Sequence, residues 1–152
     1  MTDTHTVTHA TFTLERDYPG TPATVFGAWS DPEFKARWFA GPGSEHDLDF
    51  RVGGRELAAG SHDGKRMTFH TTYQEIVPGE RIVYTSTMGV DGAVVTVSLT
   101  SVEFAETATG TRITLTEHGA YLDGHEKPEW REEGTGDQLG ALDRELRENS
   151  RG

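Results

Sequence analysis

The chain contains no cysteine, which excludes disulfides, thiolate metal sites and cysteine nucleophiles. Long apolar runs are missing as well: nothing approaches the ~18 residues a membrane-spanning helix needs, so no membrane insertion is expected. Positive charge is scarce, 14 Lys and Arg against 25 Asp and Glu, for a formal net charge of -11. Nucleic acid is therefore not an expected partner, because counterion release requires clustered cations and these are scattered. The first ten residues, MTDTHTVTHA, have neither the basic start nor the apolar core of a secretory signal, and a cytoplasmic location is expected. No His-Glu-x-x-His or comparable ligand cluster occurs, and Gly41-Pro42-Gly43 lacks the Lys-Ser/Thr of a phosphate loop. No metal and no cofactor are expected.

What is present points to a sheet-rich domain. Thr and Gly are abundant, and apolar residues alternate over most of the chain. Residues 1–9 are expected as a flexible tail and 10–149 as a single domain. Phe12 and Leu14 share one face of a first strand. Thr21-Pro22 and Asp31-Pro32 each supply an N-cap followed by a proline at the first helical position, which predicts two short helices, the second ending at Trp38-Phe39. From 45 to 118 period-two segments are separated by Gly53-Gly54, Asp63-Gly64, Pro78-Gly79, Asp91-Gly92 and Thr109-Gly110, predicting six further strands in meander. After Pro128 the pattern becomes helical, with Leu139, Leu142 and Leu146 on one stripe.

Turn lengths assign faces. Two-residue loops at Pro78-Gly79 and Asp91-Gly92 place Tyr73 opposite Tyr84, Phe69 opposite Met88 and Tyr84 opposite Leu99. The apolar face then holds Met67, Phe69, Tyr73, Ile82, Tyr84, Met88, Val95, Val97 and Leu99. The wet face holds Thr68, His70, Thr72, Thr85, Thr87, Thr96, Ser98 and Thr100. A three-residue loop at His62–Gly64 is preferred over a two-residue one because it sets Leu57 opposite Phe69, and it puts His46 on the apolar face beside Ser61. The long C-terminal helix must cover the apolar face, yet its first half, REEGTGDQ at 131–138, offers no large apolar group and two glycines. The cover is incomplete there, and a cavity or groove is implied.

The order of elements and five segments, YPGTPATVFGAWSDPEFKARWF, VGGRE, YQEIVPGERIVYT, GTRITLTEHG and REEGTGDQLGALDREL, together resemble the family of domains similar to the C-terminal domain of the activator of the 90-kDa heat-shock protein ATPase. That family lies within the START-like, birch-pollen-allergen-like superfamily, and the resemblance runs from about Phe12 to Leu146. It implies an α+β helix-grip fold: a seven-stranded curved antiparallel sheet wrapped around the C-terminal helix, enclosing a site for a hydrophobic small molecule, lipid-like or polyketide-like. Cyclase or hydrolase chemistry in the same cavity, and an interaction with a chaperone, are the alternatives the resemblance leaves open. A homodimer through the sheet face is a further expectation.

The expected cavity walls are Leu48, Phe50, Phe69, Tyr73, Tyr84, Val97, Leu99 and Leu115, with Trp38 and Phe39 as one lip and Trp130 with Gly134 as the other. Catalysis would fall to His46 or Glu117, the inward-pointing titratable groups. For His46 a hydrogen-bonded core histidine is the preferred reading over a catalytic one. Glu117 shares parity with Ile113 and Leu115 and is expected to pair with Arg16, either structurally or as a cavity group. His70 and His118 fall on the wet face, His62 in a turn and His125 in a loop. His5 and His9 have helical metal-ligand spacing but belong to the expected tail. Trp38 remains open between a lid over the cavity and a core plug.

Overall fold

A computed structural model describes residues 5–41 and 43–149. Pro42 in the expected stop signal and residues 1–4 of the expected tail lie outside the described residues. Strand β1 (Val7–Tyr18) is followed by helices α1 (Pro22–Ser30) and α2 (Pro32–Phe39). Strands β2 (Glu45–Leu48), β3 (Arg55–His62), β4 (Lys65–Val77), β5 (Arg81–Val90), β6 (Ala93–Glu106) and β7 (Thr111–Leu122) lead to helix α3 (Pro128–Asn149). The strands form one curved antiparallel sheet in the order β1-β7-β6-β5-β4-β3-β2. This is the α+β helix-grip architecture, with α3 held against the concave face.

The two short helices start as their capping residues dictate. Thr21 Oγ1 accepts a hydrogen bond from the Thr24 amide at 3.2 Å, and Asp31 Oδ1 accepts one from the Glu33 amide at 3.0 Å, each satisfying an orphan donor of the first turn. Asp31 also ends α1, donating its own amide to Gly27 O, so one residue sets both the stop and the restart. The core lies between these helices, α3 and the sheet: Trp29, Trp38, Ile82, Val102, Ile113, Leu115, Leu139 and Leu142 are all buried. The Tyr18 hydroxyl donates to Leu139 O at 3.0 Å, and the Gln138 amide donates to Phe39 O at 3.1 Å, tying α3 to β1 and to the end of α2.

Strand register differs from expectation at four places, each for a local reason. Between β4 and β5 the loop is one residue longer than expected, pairing Val77 with Arg81, but a bulge at Gln74 takes up the extra residue. Tyr73 therefore still faces Tyr84, and Phe69 still faces Met88. Between β5 and β6 the two-residue turn forms as expected, with Asp91 and Gly92 at φ 49° and 87°, the left-handed pair such hairpins need. A bulge at Val95 then shifts the pairing by one, so Tyr84 meets Thr100 and Thr85 meets Leu99. A one-residue slip turns every later side chain over. Val97 and Leu99 consequently lie on the convex face, 44% and 43% exposed, while Thr96, Ser98 and Thr100 are buried on the inside.

The third difference is at β3–β4. Asp63 and Gly64 form a two-residue turn with φ 52° and 76°, so His62 pairs with Lys65 and Ala58 with Phe69. Leu57 and His70 face each other on the outer side, and Glu56 and Ala58 point inward, where Leu57 and Ala59 were expected. The fourth is at β2–β3, where the connection between Leu48 and Arg55 is longer than a two-residue loop: His46 is inward as expected but stands beside Ala58 rather than Ser61. At the N-terminus, Val7–His9 belong to β1, not to a tail, because β7 is long enough to pair with them out to Leu122. His9 is thus in extended backbone, and the helical spacing with His5 does not form.

Candidate functional site

A cavity of about 370 Å³ lies between the inner face of the sheet and the first half of α3. Its apolar walls are Trp38 and Phe39 from α2, Ala58 and Phe69 from β3 and β4, Tyr84 and Met88 from β5, and Leu115 from β7. Helix α3 contributes Trp130, Arg131, Gly134, Thr135, Gln138 and Leu139. The cavity exists where the glycine-containing turn of α3 fails to fill the grip: a Cβ placed on Gly134 would meet no atom within 4 Å. Trp130, 57% exposed, stands at the mouth, with Lys127 Nζ 5.3 Å from its ring centre. Trp38 is a fixed wall. Its indole N–H donates to Ala28 O at 2.9 Å and its ring packs edge-on against Trp29 at 4.7 Å.

One end of the cavity is polar. Arg131, in the first turn of α3, donates through Nη1 to Glu117 Oε2 at 3.2 Å. Through Nε and Nη2 it donates to both oxygens of Glu126, at 3.1 and 3.0 Å. The remaining partners come from the inward-turned face of β6: Thr100 Oγ1 donates to Glu117 Oε1 at 2.8 Å, and Thr96 Oγ1 to Glu126 Oε1 at 2.6 Å. The guanidinium also stacks 5.3 Å from the centre of the Phe69 ring. Burial raises the Glu117 carboxyl above its ordinary range, opposed by the Arg131 charge and the Thr100 hydrogen bond. Nearby, Tyr121 on the same inner face is buried with a hydroxyl that has no partner among the described residues, and burial pushes its phenol up to about 12.

Behind the Phe39 and Tyr84 walls lies a second, closed cluster. Lys35 and Glu56 are each only 2% exposed. Lys35 Nζ donates to Glu56 Oε1 at 2.7 Å and to the Tyr73 hydroxyl at 3.1 Å. The Tyr73 hydroxyl donates to the same carboxylate oxygen, and His46 Nε2 is 2.7 Å from Glu56 Oε2. The ammonium sits among aromatic faces, 4.4 Å from the centre of the Phe39 ring. Burial would raise Glu56, but the Lys35 charge and the bonds from His46, Lys35 and Tyr73 bring it down to about 2. The arrangement satisfies a buried carboxylate from three sides, which offsets the cost of desolvating it.

Of the residues expected from sequence, Trp38, Phe39, Phe69, Tyr84, Leu115, Trp130 and Gly134 are brought together around the cavity, and Glu117 lines its polar end. Tyr73 and His46 point inward but are consumed by Glu56, so His46 does not reach the cavity. Leu48 and Phe50 pack into the core, Phe50 against Tyr73 at 5.0 Å and Phe26 at 5.7 Å. Val97 and Leu99 are excluded by the β6 bulge. Arg16 is not the partner of Glu117: it pairs with Ile113 on the edge strand and donates to Glu15 O, and Arg131 takes that role. Lys35, Glu56, Glu126 and Arg131 were missed. Lys35 could have been found, three and four residues before Trp38 and Phe39 on the same helical face, and the two-residue reading of Asp63-Gly64 would have turned Glu56 inward.

A sequence model described as Activator of Hsp90 ATPase homolog 1-like protein matches residues 19–147. The chain belongs to that family. No curated protein matches it significantly. Among solved structures, it is similar to an uncharacterised protein from Rhizobium leguminosarum at 35% identity, covering 96% of this chain and 99% of that one with a TM-score of 0.91. A protein from Rhizobium loti is 43% identical, with 93% and 99% covered and a TM-score of 0.87. One from Chromobacterium violaceum is 26% identical, with 90% and 96% covered and a TM-score of 0.75. Membership of the family accounts for the shared grip. Among the described residues, no helix is long and apolar enough to cross a membrane.

Proposed function

We propose that the protein binds a small, largely apolar molecule in the cavity between the sheet and α3. The observation that carries this reading is the cavity itself: about 370 Å³, walled by aromatic and aliphatic side chains, with a few polar groups gathered at one end. That is the general form of a small-molecule site. Catalysis is the weaker reading of the same geometry. Glu117 is a carboxylate at the cavity wall, but both its oxygens already accept hydrogen bonds from Thr100 and Arg131, and His46 is held on Glu56. A homodimer or a chaperone contact would use another surface, the outer sheet face with the exposed Val97 and Leu99.

Titration with the neutral fluorophore N-phenyl-1-naphthylamine tests the reading. Saturable binding is expected for the native protein and for Leu99→Trp, whose new ring lies on the outer face. Ala58→Leu adds bulk to the cavity wall and is expected to abolish binding while leaving the melting temperature at or above the native value. Binding that survives Ala58→Leu, or is lost in Leu99→Trp, contradicts the cavity as the site.

A further inference from the structure

We infer that the ligand of this cavity is a hydrophobic amine, an aromatic or aliphatic body carrying a cationic or hydrogen-bond-donating head, and not a carboxylic acid such as a fatty-acid anion; this rests on the cavity-binding reading above. The polar end holds two carboxylates, Glu117 and Glu126, and one guanidinium, Arg131. Arg131 has little capacity left for an anion: of its five N–H donors, one on Nη1 is without a partner among the described residues. Its Nε, Nη1 and Nη2 donate to the two glutamates, and Nη2 also lies 3.6 Å from the Met88 sulfur. The acceptors, in contrast, are in surplus. Each carboxylate offers about four lone-pair positions, and Glu117 receives only Thr100 and Arg131.

The charge count points the same way. Two carboxylates against one guanidinium leave the polar end with excess negative charge in a poorly solvated place, where an unmatched charge is costly and a complementary one is favoured. An incoming ammonium completes the balance, whereas a carboxylate adds a third negative charge. The walls are rich in rings, Trp38, Phe39, Phe69, Tyr84 and Trp130, a lining that attracts cations; Lys35, Arg131 and Lys127 already lie over Phe39, Phe69 and Trp130. Approach is favoured too, because the whole chain carries -11, although Lys127 beside Trp130 at the mouth is an opposing cation.

Competition among three probes of equal chain length tests the inference. Dodecylamine, dodecanol and dodecanoate are used to displace N-phenyl-1-naphthylamine at pH 7 and fixed ionic strength, below their micelle concentrations. Dodecylamine is expected to displace the dye at a concentration at least about tenfold lower than dodecanoate, with dodecanol between them. Glu126→Gln is expected to shrink that ratio several-fold, because it removes one carboxylate and releases guanidinium hydrogens. It changes the overall charge of -11 by a single unit, so a ratio set by the general field would hardly move. Glu126 is only partly buried, and a thermal melt verifies that the variant folds. Dodecanoate bound as tightly as dodecylamine, or a ratio untouched by Glu126→Gln, overturns the inference while leaving apolar binding intact. Failure of all three probes to displace the dye, or of the dye to bind, overturns the cavity reading and this inference with it.

Discussion

Lys35 and Glu56 carry opposite charges into an interior otherwise lined by rings, and each depends on the other. Removing one partner of such a pair strands the second, at a cost of ~3–5 kcal/mol. Lys35→Met is therefore expected to destabilise the protein by about that amount in urea unfolding, and the double variant Lys35→Met with Glu56→Gln is expected to recover part of the loss. A double variant no more stable than the single one would contradict the pairing. The same group governs acid stability. Glu56 sits at about 2 in the folded protein against an ordinary 4.5, so the folded form releases this proton more readily than the unfolded chain. Its stabilisation is complete above about 4.5 and is lost as pH falls toward 2. Melting temperatures measured across that window are expected to fall steeply for the native protein and more shallowly for Glu56→Gln.

At the scale of the elements, β6 decides which side chains reach the site. Its single bulge at Val95 sends Val97 and Leu99 outward and brings Thr96 and Thr100 in to hold Glu126 and Glu117. Leu99→Thr is therefore expected to change stability by no more than about 0.5 kcal/mol, as exposed positions do. Thr100→Val removes a hydrogen bond to a buried carboxylate and is expected to cost ~1–3 kcal/mol. The reverse order of costs would contradict the bulged register. The two short helices and the β5–β6 turn were legible in the sequence because their signals are local: Thr21-Pro22, Asp31-Pro32 and Asp91-Gly92 each act on their own residues. Bulges have no such signature. The one at Gln74 went unnoticed because it cancelled a loop one residue longer than expected, and the one at Val95 was exposed only by turning Val97 and Leu99 over. Preferring the alternation of Leu57 over the turn chemistry of Asp63-Gly64 hid Glu56, since a strand that buries a charge breaks the apolar pattern by design of the cluster around it.

For the molecule as a whole, the cavity was legible in what α3 lacks. Gly134, in a turn that faces a concave sheet, leaves space that no neighbouring atom enters, and Trp38, Phe39, Phe69, Leu115 and Trp130 then become its boundary. Of the polar end only Glu117 was legible, because Arg131 of α3 and Glu126 in the loop before it meet that carboxylate only once the grip has closed. The resulting site joins an aromatic body to a carboxylate-rich end inside a family scaffold, and its location is the claim on which the functional reading depends. The most direct measurement is a backbone-amide NMR titration with N-phenyl-1-naphthylamine. The expected shifts concentrate at Ala58, Phe69, Leu115, Gly134 and Gln138, with Val97 and Leu99 unmoved. Shifts centred on Val97 and Leu99, or none that saturate, would contradict the cavity as the binding site.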